Sequence, residues 1–152
     1  MAAPTTQSLS NLFTQLMGRS VTFAQTNDSF SKAPQIYGVY VTSPDEAATV
    51  VKADLQLLGS FAGALVGLPD AAVKEHLKAT PIEEPLRDAI HEVLNVASAA
   101  IAINGRTILT GMETDPARIE GAPANVIKKP EHKQYFNVSI NGYQGGKFGI
   151  LS

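Results

Sequence analysis

The 152-residue chain contains no cysteine. This absence excludes disulfide bonds, catalysis by a thiolate and zinc sites with cysteine ligands, and it is compatible with a reducing compartment. The chain also has no large excess of charge, with 12 basic and 14 acidic residues and a formal net charge of −2. It offers no general attraction to phosphate backbones or anionic lipid, so we expect neither nucleic acid nor a membrane as a partner.

Long hydrophobic runs are missing as well. No apolar run reaches membrane-spanning length, and the first residues, MAAPTTQSLSNLF, lack the basic and apolar regions of a secretory signal. We therefore expect a cytoplasmic protein. The composition is 44% hydrophobic without a low-complexity tract, which predicts one folded domain over residues 1–152.

Several common chemical motifs are also absent. The three histidines, His76, His91 and His132, match no short metal-ligand spacing. The glycine-rich segment YQGGKFG has no GxxxxGK[ST] pattern, and the chain has no GxSxG turn. The sequence therefore predicts no metal site and no cofactor in this chain.

Helical patterns occupy much of the first two thirds of the chain. A first helix is predicted over Ser8 to Met17, and the Ser43-Pro44-Asp45-Glu46 segment has the features of a helix start. We expect the helix that it opens to run to Gly67. A shorter helix from Asp70 to Lys78 and a long apolar pattern beginning at Leu86 follow.

Strand patterns separate and follow these helices. They are short runs rich in β-branched and aromatic residues, with Asn141-Gly142 offering a hairpin turn: VTF, IYGVYV, RTILT, ANVIKK, QYFNVSI and KFGIL. We predict an α+β two-layer domain in which long helices pack on a mostly antiparallel sheet.

The long helix that begins at Leu86 carries a polar stripe. At roughly 100° per residue, Glu92 and Asn95 fall about 40° and 20° to either side of Asp88. The apolar residues gather on the opposite side: Leu86, Ile90, Val93, Ala97 and Ile101. Every amphipathic helix has a polar face, so the stripe could be an ordinary solvent-exposed face without a further function. Asparagine within a helix is nevertheless unfavourable, and Asn95 calls for another explanation.

The pattern Asp88-x-x-x-Glu92-x-x-Asn95 resembles the motif of the CheC/CheX/FliY chemotaxis phosphatases. In that family an Asp or Ser precedes a Glu by four positions, an Asn follows by three, and a proline comes a little over twenty residues later. Pro116 stands at 116 − 95 = 21 positions after Asn95, in DPARIEG, which resembles the family's P-x-V-I-x-G strand region. Upstream, VYVTSPDEAATVV resembles the family's strand and the helix that pairs with the catalytic one.

The resemblance implies a CheC-like fold and a phosphatase acting on the aspartyl-phosphate of a CheY-like response regulator. It implies that Asn95 holds the attacking water and that Glu92 contacts the regulator's lysine, with Asp88 and Pro116 in supporting roles. The magnesium ion would belong to the regulator. Because the earlier helix segment ADLQLLGSFAGALVG has no Glu-x-x-Asn, one site is expected, as in CheX, whose relatives form homodimers.

Such a reaction would place few demands on this chain. An acyl phosphate is already activated, and phosphoryl transfer is catalysed mainly by positioning and charge stabilisation, so an amide that orients water can suffice. The alternative is a non-catalytic interaction module of the same fold that binds a response regulator or a flagellar motor component. The identity of the regulator and of its pathway stays open from the sequence.

Overall fold

The computed structural model describes residues 4–43, 46–79, 81–101 and 106–152. The helices are α1 (Thr6–Met17), α2 (Leu55–Val66), α3 (Asp70–His76), α4 (Glu84–Ile101) and α5 (Ala122–Lys128). The strands are β1 (Val21–Thr26), β2 (Gln35–Ser43), β3 (Ala47–Asp54), β4 (Arg106–Glu113), β5 (Lys133–Ile140) and β6 (Gly146–Leu151). Across these ranges, no helix combines the length and apolar character that a membrane span requires.

The six strands form one antiparallel sheet in the order β1-β5-β6-β3-β2-β4. Helices α1, α2 and α4 supply apolar side chains to the core on one face of the sheet. On the other face, Val126 and Ile127 of α5 pack against Tyr37, Val50 and Leu151. The predicted α+β class, with long helices on an antiparallel sheet, is confirmed, and α5 adds a short covering element on the second face.

The main core is built around five phenylalanine rings. Phe13 of α1 stacks on Phe61 of α2 with a centroid separation of 4.7 Å. Phe23, Phe136 and Phe148 bring three strands to the same cluster, with edge-on contacts at 5.4 and 5.7 Å. Aromatic rings bury large areas and favour these offset and edge geometries, so the cluster locks the helix layer onto the sheet.

The predicted helix start at Ser43 is wrong. Ser43 ends β2, residues 44 and 45 lie outside the described residues, and Ala47–Asp54 forms strand β3. This strand pairs with both β2 and β6. Its consecutive residues Val50 and Val51 are both fully buried, one on each face of the sheet. A strand buried on both faces has a continuous apolar sequence that does not alternate, and such a run is easily taken for a helix. The helix begins only at Leu55.

The prediction of a strand at ANVIKK is also wrong, because residues 124–128 belong to helix α5 and Lys129 follows its end. Gly121 has a positive φ of 72° and precedes the helix, whose first turn contains Pro123. Val126 and Ile127 are β-branched and favour strands in isolation, but packing against the sheet outweighs that preference.

The segment DPARIEG was expected to be a strand and is instead a turn of 3₁₀ helix, Pro116–Arg118. Asp115 caps it by accepting a hydrogen bond from the Ala117 backbone N–H at 3.0 Å. Proline fits the first helical position, where its missing N–H is not needed. Capping residue and proline together therefore favour the helical turn over a strand.

The topology repeats itself once. In each half a helix and three strands follow in the same chain order, α1-β1-β2-β3 and α4-β4-β5-β6. The strand order is symmetric about the centre of the sheet, where β3 pairs with β6. The edge strand β1 pairs with β5 in the same way as the other edge strand, β4, pairs with β2. Helix α1 is therefore the topological counterpart of α4.

Candidate functional site

Helix α4 presents its polar stripe to solvent, as its periodicity predicts. Its 18 residues bury one apolar side: Leu86, Ala89, Ile90, Val93, Leu94, Ala97 and Ile101. Asp88, Glu92 and Asn95 are all exposed on the opposite side. Packing of the apolar side against the core determines the orientation of the helix. The three polar side chains on the opposite side are therefore exposed together.

The side chains of this stripe have no hydrogen-bond or ion-pair partner in the described part of the chain. Among the hydrogen bonds and ion pairs between described residues, none uses the side chain of Asp88, Glu92 or Asn95. The Asn95 backbone carbonyl accepts a hydrogen bond from the Ser98 hydroxyl at 2.6 Å. The carboxamide of Asn95 and both carboxylates are therefore available to a molecule that docks on the helix.

The arrangement suits positioning chemistry. A carboxamide both donates and accepts hydrogen bonds and can orient a water molecule, while ionised carboxylates accept from a cation or a water. Within the described part of the chain, no group of three or more His, Asp or Glu side chains could hold a metal ion. The expectation that this chain binds no cofactor stays a prediction.

Pro116, the fourth predicted site residue, does not belong to α4. It is exposed and opens the 3₁₀ turn, separated from the helix along the chain by strand β4. Its supporting role stays a prediction.

The counterpart helix α1 lacks the acidic groups of the stripe. Leu9, Phe13 and Met17 are buried as Val93, Ala97 and Ile101 are, each pair 84 positions apart (93 − 9 = 84). With that offset, the burial classes agree at ten of the twelve positions of α1. Asn11 then takes the place of Asn95.

Ser8 takes the place of Glu92, and it is committed to the capping box at the start of α1. Its backbone N–H donates to the Thr5 hydroxyl at 3.0 Å, and its own hydroxyl accepts from the Thr5 backbone N–H at 3.0 Å. The α1 face therefore carries an amide without the carboxylate that the motif places three positions earlier.

Helix α2, whose segment lacks a Glu-x-x-Asn pattern, has no comparable exposed face along its middle residues. Its middle residues, Leu57 to Gly63, are all buried. Leu77, the residue that follows α3, covers it closely, because a methyl group on Gly59 would lie 2.9 Å from the Leu77 side chain. A docking partner cannot reach this part of α2.

Two residues that support α4 were not identified from the sequence. The Tyr40 hydroxyl of β2 donates a hydrogen bond to the Leu94 carbonyl at 2.6 Å, and a Cβ on Gly38 would lie 3.3 Å from the Leu94 side chain. A glycine inside the strand pattern IYGVYV was the available signal, since it marks a close approach of a neighbouring element.

Comparison with known proteins defines the fold. No protein-family model matches the chain, and no curated protein matches its sequence. The FliM middle domain of Vibrio alginolyticus aligns with a TM-score of 0.66 and 12% identity, over 97% of this chain and 87% of that one. FliM in the FliG–FliM complex of H. pylori aligns with a TM-score of 0.60 and 12% identity, over 97% and 86%.

FliY of Thermotoga maritima aligns with a TM-score of 0.58 and 12% identity, over 95% of this chain and 82% of that one. Two CheX structures align at lower TM-scores of 0.44 and 0.39. The chain therefore has the fold shared by the FliM middle domain and FliY, and the resemblance to the CheC/CheX/FliY group is confirmed at the level of fold.

The exposed stripe is expected to be dispensable for folding. Asn95→Ala should leave the free energy of unfolding unchanged or raise it by up to about 0.5 kcal/mol, because alanine has the higher helix propensity and no side-chain hydrogen bond between described residues is lost. Denaturant unfolding followed by circular dichroism measures this. A loss above about 1 kcal/mol would instead assign Asn95 a structural role.

Proposed function

We propose that this protein is a phosphatase that hydrolyses the aspartyl-phosphate of a CheY-like response regulator. The observation that carries the proposal is the solvent-exposed stripe of Asp88, Glu92 and Asn95 on one face of α4, without internal partners among the described residues. Its spacing is that of the CheC/CheX/FliY motif, and the fold is that of FliY. Motif and fold are independent observations, and both point to the same group of proteins.

Asn95 is the central catalytic residue of the proposal. Hydrolysis needs a water molecule in line with the phosphorus–oxygen bond that breaks, and the Asn95 carboxamide can hold that water by a hydrogen bond. The amide stays uncharged throughout the pH range in which the protein is folded, so it orients the water without removing its proton. Positioning of this kind lowers the barrier of a reaction whose substrate is already activated.

Glu92 makes the second catalytic contact, to the regulator's lysine. A carboxylate one helical turn from Asn95 fixes how the two proteins align, and with it the distance from the carboxamide to the phosphorus. Asp88 extends the acidic side of the contact and has a supporting role, as does Pro116. Any magnesium ion is held by the regulator, and this chain contributes no cofactor.

The proposal includes a cytoplasmic location, where a response regulator works, and a homodimer. Strand β4 supports the dimer, because it forms one edge of the sheet and its Ile108 is 45% exposed. Exposed apolar edge strands favour pairing with another chain. Sedimentation velocity of the free protein tests the dimer, and a single species of monomer mass at micromolar concentration would contradict it.

The decisive experiment is the decay of a phosphorylated CheY-like regulator from the same cell, alone and with this protein. We expect faster decay with the native chain, and a catalysed rate about 100-fold lower with Asn95→Ala, because the in-line water is no longer held. Affinity for the regulator carrying beryllofluoride should change less than about twofold, since Asn95 contributes mainly to the transition state.

Asn11→Ala is the matched control, because it removes the corresponding exposed amide of α1. It should leave the catalysed rate unchanged. If the native chain accelerates the decay of none of the cell's phosphorylated regulators, the phosphatase proposal is refuted. Equal activity of the native chain and Asn95→Ala would refute the role of Asn95 alone.

Glu92→Gln is expected to affect binding first. Loss of the negative charge should weaken binding to the beryllofluoride-loaded regulator about three- to tenfold at low salt, because an exposed charge pair is lost, and the effect should shrink as salt is added. Isothermal titration at two salt concentrations measures both quantities. Glu131→Gln, which neutralises an exposed acid outside α4, is the control. Equal affinities for both variants would remove Glu92 from the interface.

A second candidate function is a non-catalytic interaction module. The alignment to the FliM middle domain favours it, since FliM forms a complex with FliG in H. pylori. In this case the chain binds a regulator or a motor component, and Asn95→Ala changes neither decay nor affinity. The decay assay and the binding measurement therefore separate the two functions.

A further inference from the structure

Among the described residues, one side-chain hydrogen bond joins strand β2 to α4. The Tyr40 side chain is fully buried, and its hydroxyl donates to the Leu94 carbonyl at 2.6 Å. Burial raises the pKa of the Tyr40 phenol, which therefore keeps its proton and remains a donor. Leu94 is the residue immediately before Asn95, so this hydrogen bond acts on the backbone that carries the carboxamide.

Gly38 makes room for the same residue. A Cβ at this position would lie 3.3 Å from both Leu94 Cδ2 and Tyr40 Cε1, closer than ordinary van der Waals contact, and 3.4 Å from Leu94 Cδ1. Gly38 and Tyr40 lie on the same face of β2, two positions apart, and both meet Leu94. We call these two residues and Leu94 the α4 seat.

A β-bulge lies beside the seat. The register between β2 and β4 shifts between Val39, paired with Gly111, and Tyr40, paired with Leu109, so Thr110 is the extra residue. The Thr110 hydroxyl donates to the Val39 carbonyl at 3.2 Å. Bulges increase local twist and change the direction of neighbouring side chains, and this one adjoins Tyr40.

The hydrogen bond of the α4 seat fixes the orientation of the helix more precisely than apolar packing does. Hydrophobic burial is non-directional, so the buried side of α4 alone tolerates small rotations and shifts of the helix. A hydrogen bond is directional and weakens steeply as its angle departs from linear. Side chains reach about 5 to 6 Å from a helix axis, so a rotation of about 20° moves a surface group by about 2 Å.

We propose that Tyr40 is a positioning residue for Asn95, acting through the Leu94 carbonyl to set the rotation and height of α4 at the docking face. The inference rests on the proposed function. Misplacement of a water-orienting group by about 1 Å can cost a factor of about 100 in rate. A regulator would still bind to the exposed stripe after Tyr40 is altered, but the carboxamide would no longer hold water in line.

The test compares Tyr40→Phe with Ser60→Ala. Ser60 is 1% exposed, and its hydroxyl donates to the Gln56 carbonyl within α2 at 2.9 Å. Both substitutions thus remove one hydrogen bond from the hydroxyl of a buried residue to a helix carbonyl, but only the Tyr40 hydrogen bond ends on α4. Gly38→Ala, which keeps the hydroxyl but presses on both Leu94 and the Tyr40 ring, is a second variant should Tyr40→Phe fold poorly.

Three quantities are measured for each variant: the catalysed decay rate at saturating protein, the affinity for the beryllofluoride-loaded regulator, and hydrogen exchange of the amides of residues 95–99. We expect Tyr40→Phe to lower the rate about tenfold, to leave affinity within about twofold, and to speed exchange in this segment. The Ser98 amide is informative because, by helix geometry, it shares the Leu94 carbonyl. Ser60→Ala should change none of the three.

The outcomes separate this inference from the proposed function. Equal rates and equal exchange for Tyr40→Phe and Ser60→Ala would overturn the positioning role while the phosphatase stands. If the native chain fails to accelerate decay, the proposed function fails. The exchange data then still decide whether Tyr40 holds this segment. An equal loss of affinity and rate would make Tyr40 part of the binding energy, which also overturns the inference.

Discussion

Burial of strands β3 and β6 on both faces is the constraint on which the rest of the structure depends. Val51 and Phe148 face the helix layer, whereas Val50 and Leu151 face α5. Because these paired central strands carry apolar side chains on both faces, burying those side chains requires helices on each side of the sheet. The positions of α2, α4 and α5 follow from that requirement, and α4 can then display only the side that is left over.

The two topologically equivalent helices differ in their exposed side chains, so the candidate site lies on one half of the fold. Helices α1 and α4 occupy corresponding places and bury corresponding residues, yet only α4 combines carboxylates with its asparagine. On α1 the hydroxyl of Ser8 stabilises the helix start, so that position supports folding. A scaffold that repeats can place function on one half, because packing constrains only the buried sides of the two helices.

The periodicity of apolar residues correctly predicted elements that have one side in the core and the other in solvent. Helix α4 alternates between core and solvent, and the place of Asp88, Glu92 and Asn95 on its exposed side could be read from spacing alone. Strand β3 and helix α5 were predicted wrongly for opposite reasons. β3 is apolar on both faces and shows no strand alternation, and α5 is too short for its periodicity to outweigh the strand preference of Val126 and Ile127.

The sequence by itself determined the α+β class, the absence of thiol chemistry, and the composition and helical face of the candidate site. These features depend on residue identity and on local spacing, which are properties of short segments. Tertiary structure alone decided that Tyr40 reaches the Leu94 carbonyl across 54 positions and that Gly38 leaves space for the Leu94 side chain. Such contacts arise only when the sheet brings distant segments together, so no local pattern encodes their partners.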